Sequence, residues 1–305
     1  MTANLGLSAD SPSVYCQRVL GRQTSGSVVC TSCGSLVGVR DEQCYTCGRR
    51  NPALWGFSPL LRRLGSDLGF VSFVLLASVA LYVLMLLLSR GAFQMRGVFS
   101  LLAPDTASLL RFGASGSIPV FLVGHWWTVL SASWLHGSAL HILFNMMWVR
   151  QLGPATADAY GPGRMVIIYT VAGAAGFLLS STAGFYLNWM PVPFLRGSNL
   201  TVGASASIFG LLGAMVYYGR RGSSAVAREA ARYAVILFVF GLFMPGIDNY
   251  AHAGGFAGGY LAGQWLNPRK PERIDHVVGA LVCLGASALA VFASLFSFSD
   301  FLGLR

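Results

Sequence analysis

The stretch TVGASASIFGLLG, residues 201–213, places Ser205 and Ser207 in surroundings otherwise fit for lipid. An imidazole, His252, lies in AHAGG at 251–255, and LHGSALHILFN at 135–145 carries His136, His141 and Asn145. Each of these groups is costly in hydrocarbon and so demands a reason. Taken singly, the serine reads as back-bonding or small-residue packing, and His141 and Asn145 read as interhelical hydrogen bonders. Taken together, a hydroxyl, an imidazole able to act as base and two side-chain hydrogen-bond donors are the parts needed for acyl transfer. His141 and Asn145 are four apart and share one helical face, with His136 nearer the entrance. Ser205 and Ser207 are separated by about 200° around a helix, so only one faces a given cavity. Ser205 is the one expected there, and Ser207 is expected to bond a backbone carbonyl.

A second constellation is Cys30-Thr-Ser-Cys33-Gly followed by Cys44-Tyr-Thr-Cys47-Gly. Two Cys-x-x-Cys pairs offer four thiolates at the spacing of a tetrahedral structural Zn²⁺ site, and the trailing glycines permit the tight knuckles. A pair of disulfides is the competing reading, disfavoured in a reducing cytoplasm. Cys16 is expected to be a spare thiol and Cys283 plain packing. About 50 residues bury little core, so the metal is expected to supply the folding free energy of this module.

The elements that must position these groups follow from composition. Of 305 residues, 54% are hydrophobic and 10% charged, and the mean hydropathy is +0.60, which excludes an ordinary soluble domain. A span needs about 20 apolar residues. Seven are predicted: 68–88, 135–150, 165–187, 201–218, 231–245, 250–266 and 277–296, the first and last free of charge. Glycines 255, 259 and 263 form one stripe, and Gly203, Gly210 and Gly213 lie in the fourth span, so spans four and six are expected in close contact.

The net charge of +10 is spread over the loops and forms no block, which argues for topology and against nucleic-acid binding. With the N-terminus cytoplasmic, Arg49, Arg50, Arg62, Arg63, Arg150, Arg164, Arg220, Arg221, Arg228, Arg232, Arg269, Lys270 and Arg273 lie inside. Arg90, Arg96, Arg111, Arg196 and Arg305 lie outside, thirteen against five. The C-terminus is then outside, and no secretory signal peptide is expected. In this orientation spans two, four and six run inward, and His141, Asn145, Ser205 and His252 converge in their first halves. At about 1.5 Å per residue, Ser205 is expected some 6 Å below the outer end of its span.

These motifs resemble those of the rhomboid intramembrane serine proteases. Gly203-Ala-Ser205-Ala is similar to that family's G-x-S-x motif, Ala251-His252-Ala-Gly-Gly to its A-H-x-G-G motif, and His136, His141 and Asn145 to its H-x-x-x-x-H-x-x-x-N signature. The resemblance covers about 67–267. It implies a Ser205–His252 dyad without an acid, an oxyanion site of His141, Asn145 and the Ser205 amide, support from Gly203 and His136, and Phe209 packed on the base. Asp248 is then expected to be an exposed loop carboxylate. The segment 89–134 resembles the family's first loop, partly sunk in the outer leaflet, with Trp126 and Trp127 at the interface. Thr128 departs from the pattern, standing where an arginine commonly follows tryptophan.

The expected architecture is all-α and polytopic, a six-helix rhomboid core plus one C-terminal transmembrane helix. Its parts are a zinc-ribbon-like module at 1–50, a linker at 51–66, the core at 67–267, and a passive helix and tail at 268–305. The expected activity is endopeptidase cleavage of transmembrane-helix substrates near the outer face, without a catalytic cofactor. A bacterial inner membrane is the expected location, and the zinc module is a candidate for a protein partner. Two rivals are an inactive rhomboid-like protein that binds transmembrane clients, which usually lacks the serine or histidine present here, and a solute transporter, whose internal repeat is not found.

Overall fold

A computed structural model describes residues 22–31, 33–62, 65–90, 100–192, 195–244 and 246–298. Cys16, Arg63, Arg96 and Arg305 lie outside them.

The N-terminal module is built on two short antiparallel strands, β1 (Ser27–Val29) and β2 (Leu36–Gly38), paired with Val28 opposite Val37. Its core holds Val28, Cys30, Val37, Val39, Cys44 and Ala53. Ala53 belongs to the expected linker yet has no exposure. Asn51 N–H donates to the Glu42 carbonyl at 2.7 Å, Thr31 N–H to Pro52 at 3.3 Å and Gln23 N–H to Gly56 at 2.9 Å, so residues 51–56 are held against the module. They add a layer to a small core.

After a short helix, α1 (Ser58–Arg62), the chain enters the apolar helix α2 (Phe70–Leu88). Residues 105–134 form short pieces: α3 (Thr106–Phe112), a π-turn at Ile118–Leu122, α4 (Thr128–Ser131) and a 3₁₀ turn at Ala132–Trp134. Asp105 caps α3 by accepting the Ser108 N–H at 2.7 Å, and Gly113 ends it in the left-handed conformation at φ +97°. Six long helices follow: α5 (Ala139–Tyr160), α6 (Pro162–Tyr186), α7 (Ser205–Gly222), α8 (Ser224–Phe243), α9 (Asn249–Trp265) and α10 (Ile274–Phe296). With α2 they correspond to the seven predicted spans. Among the described residues, α2, α6 and α10 are each long and apolar enough to cross a membrane by themselves. The protein is a mostly helical, polytopic membrane protein.

Lipid tails are as apolar as leucine, so helices in a bilayer associate through close packing of small residues and interhelical hydrogen bonds. That is how α7 meets α9. A Cβ at Gly255 would lie 2.1 Å from the Ala206 carbonyl oxygen, and one at Gly259 would lie 2.0 Å from that of Gly210. Helix α6 closes the trio, its Gly176 facing the Ala251 carbonyl oxygen with room for no side chain.

Two boundaries differ from expectation. Helix α5 begins at Ala139, capped by the Ser138 hydroxyl, and continues beyond 150 to Tyr160 with Pro154 inside. Helix α7 begins at Ser205 itself, because Thr201 pairs with Ser115 in an extended bridge and Gly203 takes φ +130°. Ser205 is therefore the first residue of its helix, not a residue one turn down. Arg164 also departs from its reading as a loop charge. It is 2% exposed, and its guanidinium donates to His276 Nδ1 and to the carbonyls of Tyr160, Asn267, Lys270 and Pro271. Those acceptors meet the need for partners that a buried charge imposes.

Candidate active site and metal centre

The N-terminal ends of α5, α7 and α9 meet at one end of the bundle. His141 and Asn145 come from the first two turns of α5, Ser205 opens α7, and His252 is the fourth residue of α9. His252 Nε2 and Ser205 Oγ are 3.0 Å apart, within hydrogen-bond reach. The Phe209 ring stacks on the imidazole with centroids 4.2 Å apart and planes 16° apart, which fixes the ring plane. His252 is buried and its Nδ1 has no hydrogen-bond partner among the described residues. Asp248, one turn earlier, caps α9 instead of lying free in a loop. Its Oδ1 accepts the Ala251 N–H at 3.0 Å and its Oδ2 accepts the Ser180 hydroxyl. The expectation of an exposed carboxylate is corrected, since a helix start inside the bundle needs an acceptor for its amides.

His141 accepts the Gly137 N–H on Nδ1 at 3.3 Å, which puts the proton of the neutral ring on Nε2. That Nε2 faces Gly203, where a Cβ would stand 2.6 Å away. A side chain at 203 is thus barred twice, by contact and by a backbone at φ +130°. Asn145 Nδ2 donates to the His141 carbonyl at 2.8 Å, and among the described residues its second N–H is left to donate elsewhere. His136 is fully buried, edge-on to His141 at 5.2 Å, with Nε2 3.5 Å from the Ala204 amide it accepts from. As the first helical residue, Ser205 has an amide without an intrahelical acceptor.

Ser207 faces away from this cluster, but its partner is the Ser133 hydroxyl at 3.3 Å, in place of the expected carbonyl. Ser133, Ser180 and the Ala132 carbonyl, which accepts the Gly203 N–H at 2.9 Å, had no sequence signal, because their partners are distant in the chain. Thr128 is buried and satisfied, donating to the His125 carbonyl at 2.8 Å. Trp126 is 66% exposed, as an interfacial anchor would be, whereas the Trp127 indole N–H donates to Ser294 of α10 at 3.1 Å.

The sulfurs of Cys30, Cys33, Cys44 and Cys47 lie within 4.8 Å of one another. The Cys30–Cys47 and Cys33–Cys44 distances of 3.8 and 3.6 Å are too long for disulfides, which need about 2.05 Å. Zinc–sulfur bonds of about 2.3 Å in a tetrahedron require sulfurs about 3.8 Å apart, so the four thiols fit such an ion. Burial raises the Cys33 thiol, but hydrogen bonds with the Ser35 hydroxyl and amide outweigh it and bring it down to about 6. Burial pushes Cys47 up to about 12.

Comparison with known proteins agrees with this geometry. Residues 123–269 match the family model described as "Rhomboid domain". RHOMBOID-like protein 4 of Arabidopsis thaliana is 31% identical over 242 residues, covering 70% of this chain and 57% of that protein. Rhomboid protease GluP of Bacillus subtilis (strain 168) is 31% identical over 189 residues, covering 61% of this chain and 34% of its own length. Inactive RHOMBOID-like protein 8 of Arabidopsis thaliana is 27% identical over 175 residues, covering 56% of this chain and 46% of that protein. The chain spans about half the length of the curated relatives it matches first. The match spans every residue of the α5, α7 and α9 cluster, so residues 123–269 of this chain form a rhomboid domain.

Proposed function

We propose that the protein is an intramembrane serine endopeptidase that cuts transmembrane-helix substrates near the outer membrane face with a Ser205–His252 dyad. The observation that carries this reading is the 3.0 Å contact between Ser205 Oγ and His252 Nε2 at the shared end of α7 and α9. Ser205 Oγ attacks the scissile carbonyl carbon while His252 Nε2 takes its proton. The carbonyl oxygen becomes an oxyanion, held by His141 Nε2–H, Asn145 Nδ2–H and the Ser205 amide. Collapse breaks the C–N bond, and His252 returns the proton to the departing amine. Water, deprotonated by the same imidazole, then bonds to the acyl carbon, and the Oγ–acyl bond breaks as His252 returns that proton to Ser205 Oγ. Gly203 and His136 keep the oxyanion side open and oriented, and Phe209 holds the imidazole.

The N-terminal module holds one structural zinc through Cys30, Cys33, Cys44 and Cys47 and lies in the cytoplasm. The division into a module, a 67–267 core and a C-terminal helix belongs to the same reading, as do a bacterial inner membrane and an outward C-terminus. A client-binding role without proteolysis is the alternative, and one of the relatives is named inactive.

The test is purified protein in detergent with a single-span substrate, beside Ser205→Ala and His252→Ala. Cleavage by the wild type and none above background by either variant is expected. Undiminished cleavage by either variant refutes the dyad, and no cleavage by the wild type favours the client-binding role. Metal analysis of the intact protein is expected to give about one zinc per chain.

A further inference from the structure

We infer that α10 is a brace that positions the serine end of the site, with Trp127 and Ser294 as its contact. This rests on the protease reading above and contradicts the expectation of a passive helix.

Helix α10 presents lipid-facing Leu281, Val282, Leu289 and Phe296 on one side. Its buried residues are small: Ala280, Ser287, Ala290 and Ser294. Ser294 is 1% exposed and accepts the Trp127 indole N–H at 3.1 Å. It also closes on the turn that ends α3, since a Cβ at Gly113 would stand 2.5 Å from Ser294 Oγ and 2.3 Å from Ser131 Oγ. The Arg111 guanidinium lies 4.7 Å from the ring centroid of Phe298, just past the end of α10. At its other end α10 is tied to α6, where Arg164 donates to His276 and the His276 backbone lies against Gly163.

From Ser294 the contacts lead to Ser205 in a short relay. Trp127 immediately precedes α4, and Ser131, at the end of that helix, donates to the Gly113 carbonyl at 2.6 Å. The next residue, Ala132, accepts the Gly203 N–H at 2.9 Å, and Ser133 bonds Ser207. Gly203 and Ser207 flank Ser205, and Gly203 also faces His141 Nε2. Any shift of α4 thus moves the backbone carrying both the nucleophile and the oxyanion-side glycine. Tying α4 to a helix anchored at both ends restrains such shifts, and displacements of about 1 Å are enough to slow a reaction about a hundredfold. Trp127 and Ser294 are positioning residues; neither touches the reacting atoms.

The test uses the full-length protein in detergent, well below its unfolding temperature. Ser205 is labelled with a fluorophosphonate, which forms an Oγ–P bond and expels fluoride, and substrate cleavage is measured alongside. Trp127→Phe and Ser294→Ala, which delete the hydrogen bond while adding no bulk, are each expected to slow labelling about threefold. The double variant is expected to slow it no further, because both remove one contact. Ser294→Leu, which forces α4 away, is expected to lose tenfold or more in labelling rate and kcat with little change in KM. Hydrogen–deuterium exchange of the peptide holding Gly203 is expected to rise in the same variants whether or not the protein is active. Lowered thermal stability with unchanged labelling and exchange would overturn the brace, as would single effects that multiply in the double variant. A wild type that neither labels nor cleaves, while exchange responds to Ser294→Leu, would sink the protease reading and leave the brace standing.

Discussion

His252 and Asp248 are one helical turn apart and are joined through the backbone, the His252 N–H donating to the Asp248 carbonyl at 3.1 Å. Their side chains diverge. The carboxylate turns to Ala251 N–H and Ser180, and the imidazole turns to Ser205. The site thus holds a serine and a histidine, with the carboxylate one turn before the histidine engaged in capping.

Asp248→Asn keeps an acceptor for the cap and should retain kcat within about threefold, since the carboxylate is turned to the Ala251 amide and Ser180 and away from the imidazole. A true third member of a triad would cost about 10⁴-fold on the same change. Asp248→Ala should instead lower stability by about 1 kcal/mol through the lost cap. Cleavage kinetics and thermal unfolding separate the two effects.

Gly259→Ala tests the contact between α7 and α9. Its Cβ would meet the Gly210 carbonyl oxygen at 2.0 Å, so the helices must part. Overpacking of this kind costs about 1–3 kcal/mol, and the unfolding temperature should fall together with activity. Gly203→Ala should behave differently. It displaces His141 locally, so activity should fall at least tenfold while the fold survives, as circular dichroism and substrate binding would report.

Zinc affinity should weaken as pH falls. The metal binds thiolates, so every ligand still protonated in the free module must release a proton on binding. Cys47, held up near 12 by burial, remains protonated throughout the neutral range and loses its proton to the metal. The zinc dissociation constant, measured by chelator competition, should therefore rise at least tenfold per pH unit from pH 8 to pH 6. Cys47→Ser should abolish stoichiometric zinc.

Asp105 contributes to stability on the alkaline side of its titration. Partial burial opposes its ionisation, but the Ser108 and Arg90 amides outweigh this and hold the carboxyl below its ordinary value. A group lowered in the folded state stabilises above its unfolded value of about 3.9 and loses that contribution as pH falls through the folded one. Asp105→Asn should lower the unfolding temperature at pH 7, and the gap from wild type should close toward pH 3.

Residue type and spacing alone were enough to establish a polytopic helical membrane protein, the four-thiol cluster, and the glycine faces on which α7 and α9 meet. They were also enough to pick out Ser205, His252, His141 and Asn145. Those signals are local or periodic: a polar atom in hydrocarbon needs a reason wherever the chain goes, and a stripe of glycine has meaning on any helix. The start of α7 at Ser205 was beyond them, because the bridge from Thr201 to Ser115 that ends the extended segment is a pairing between distant residues. For the same reason only the tertiary structure could bury Arg164 among the carbonyls of the 267–271 loop, give Asp248 to Ser180, and set Ser294 against Trp127. An arginine counted as a loop charge and a helix that looks made for lipid reveal their partners only when chain segments more than a hundred residues apart are brought into contact.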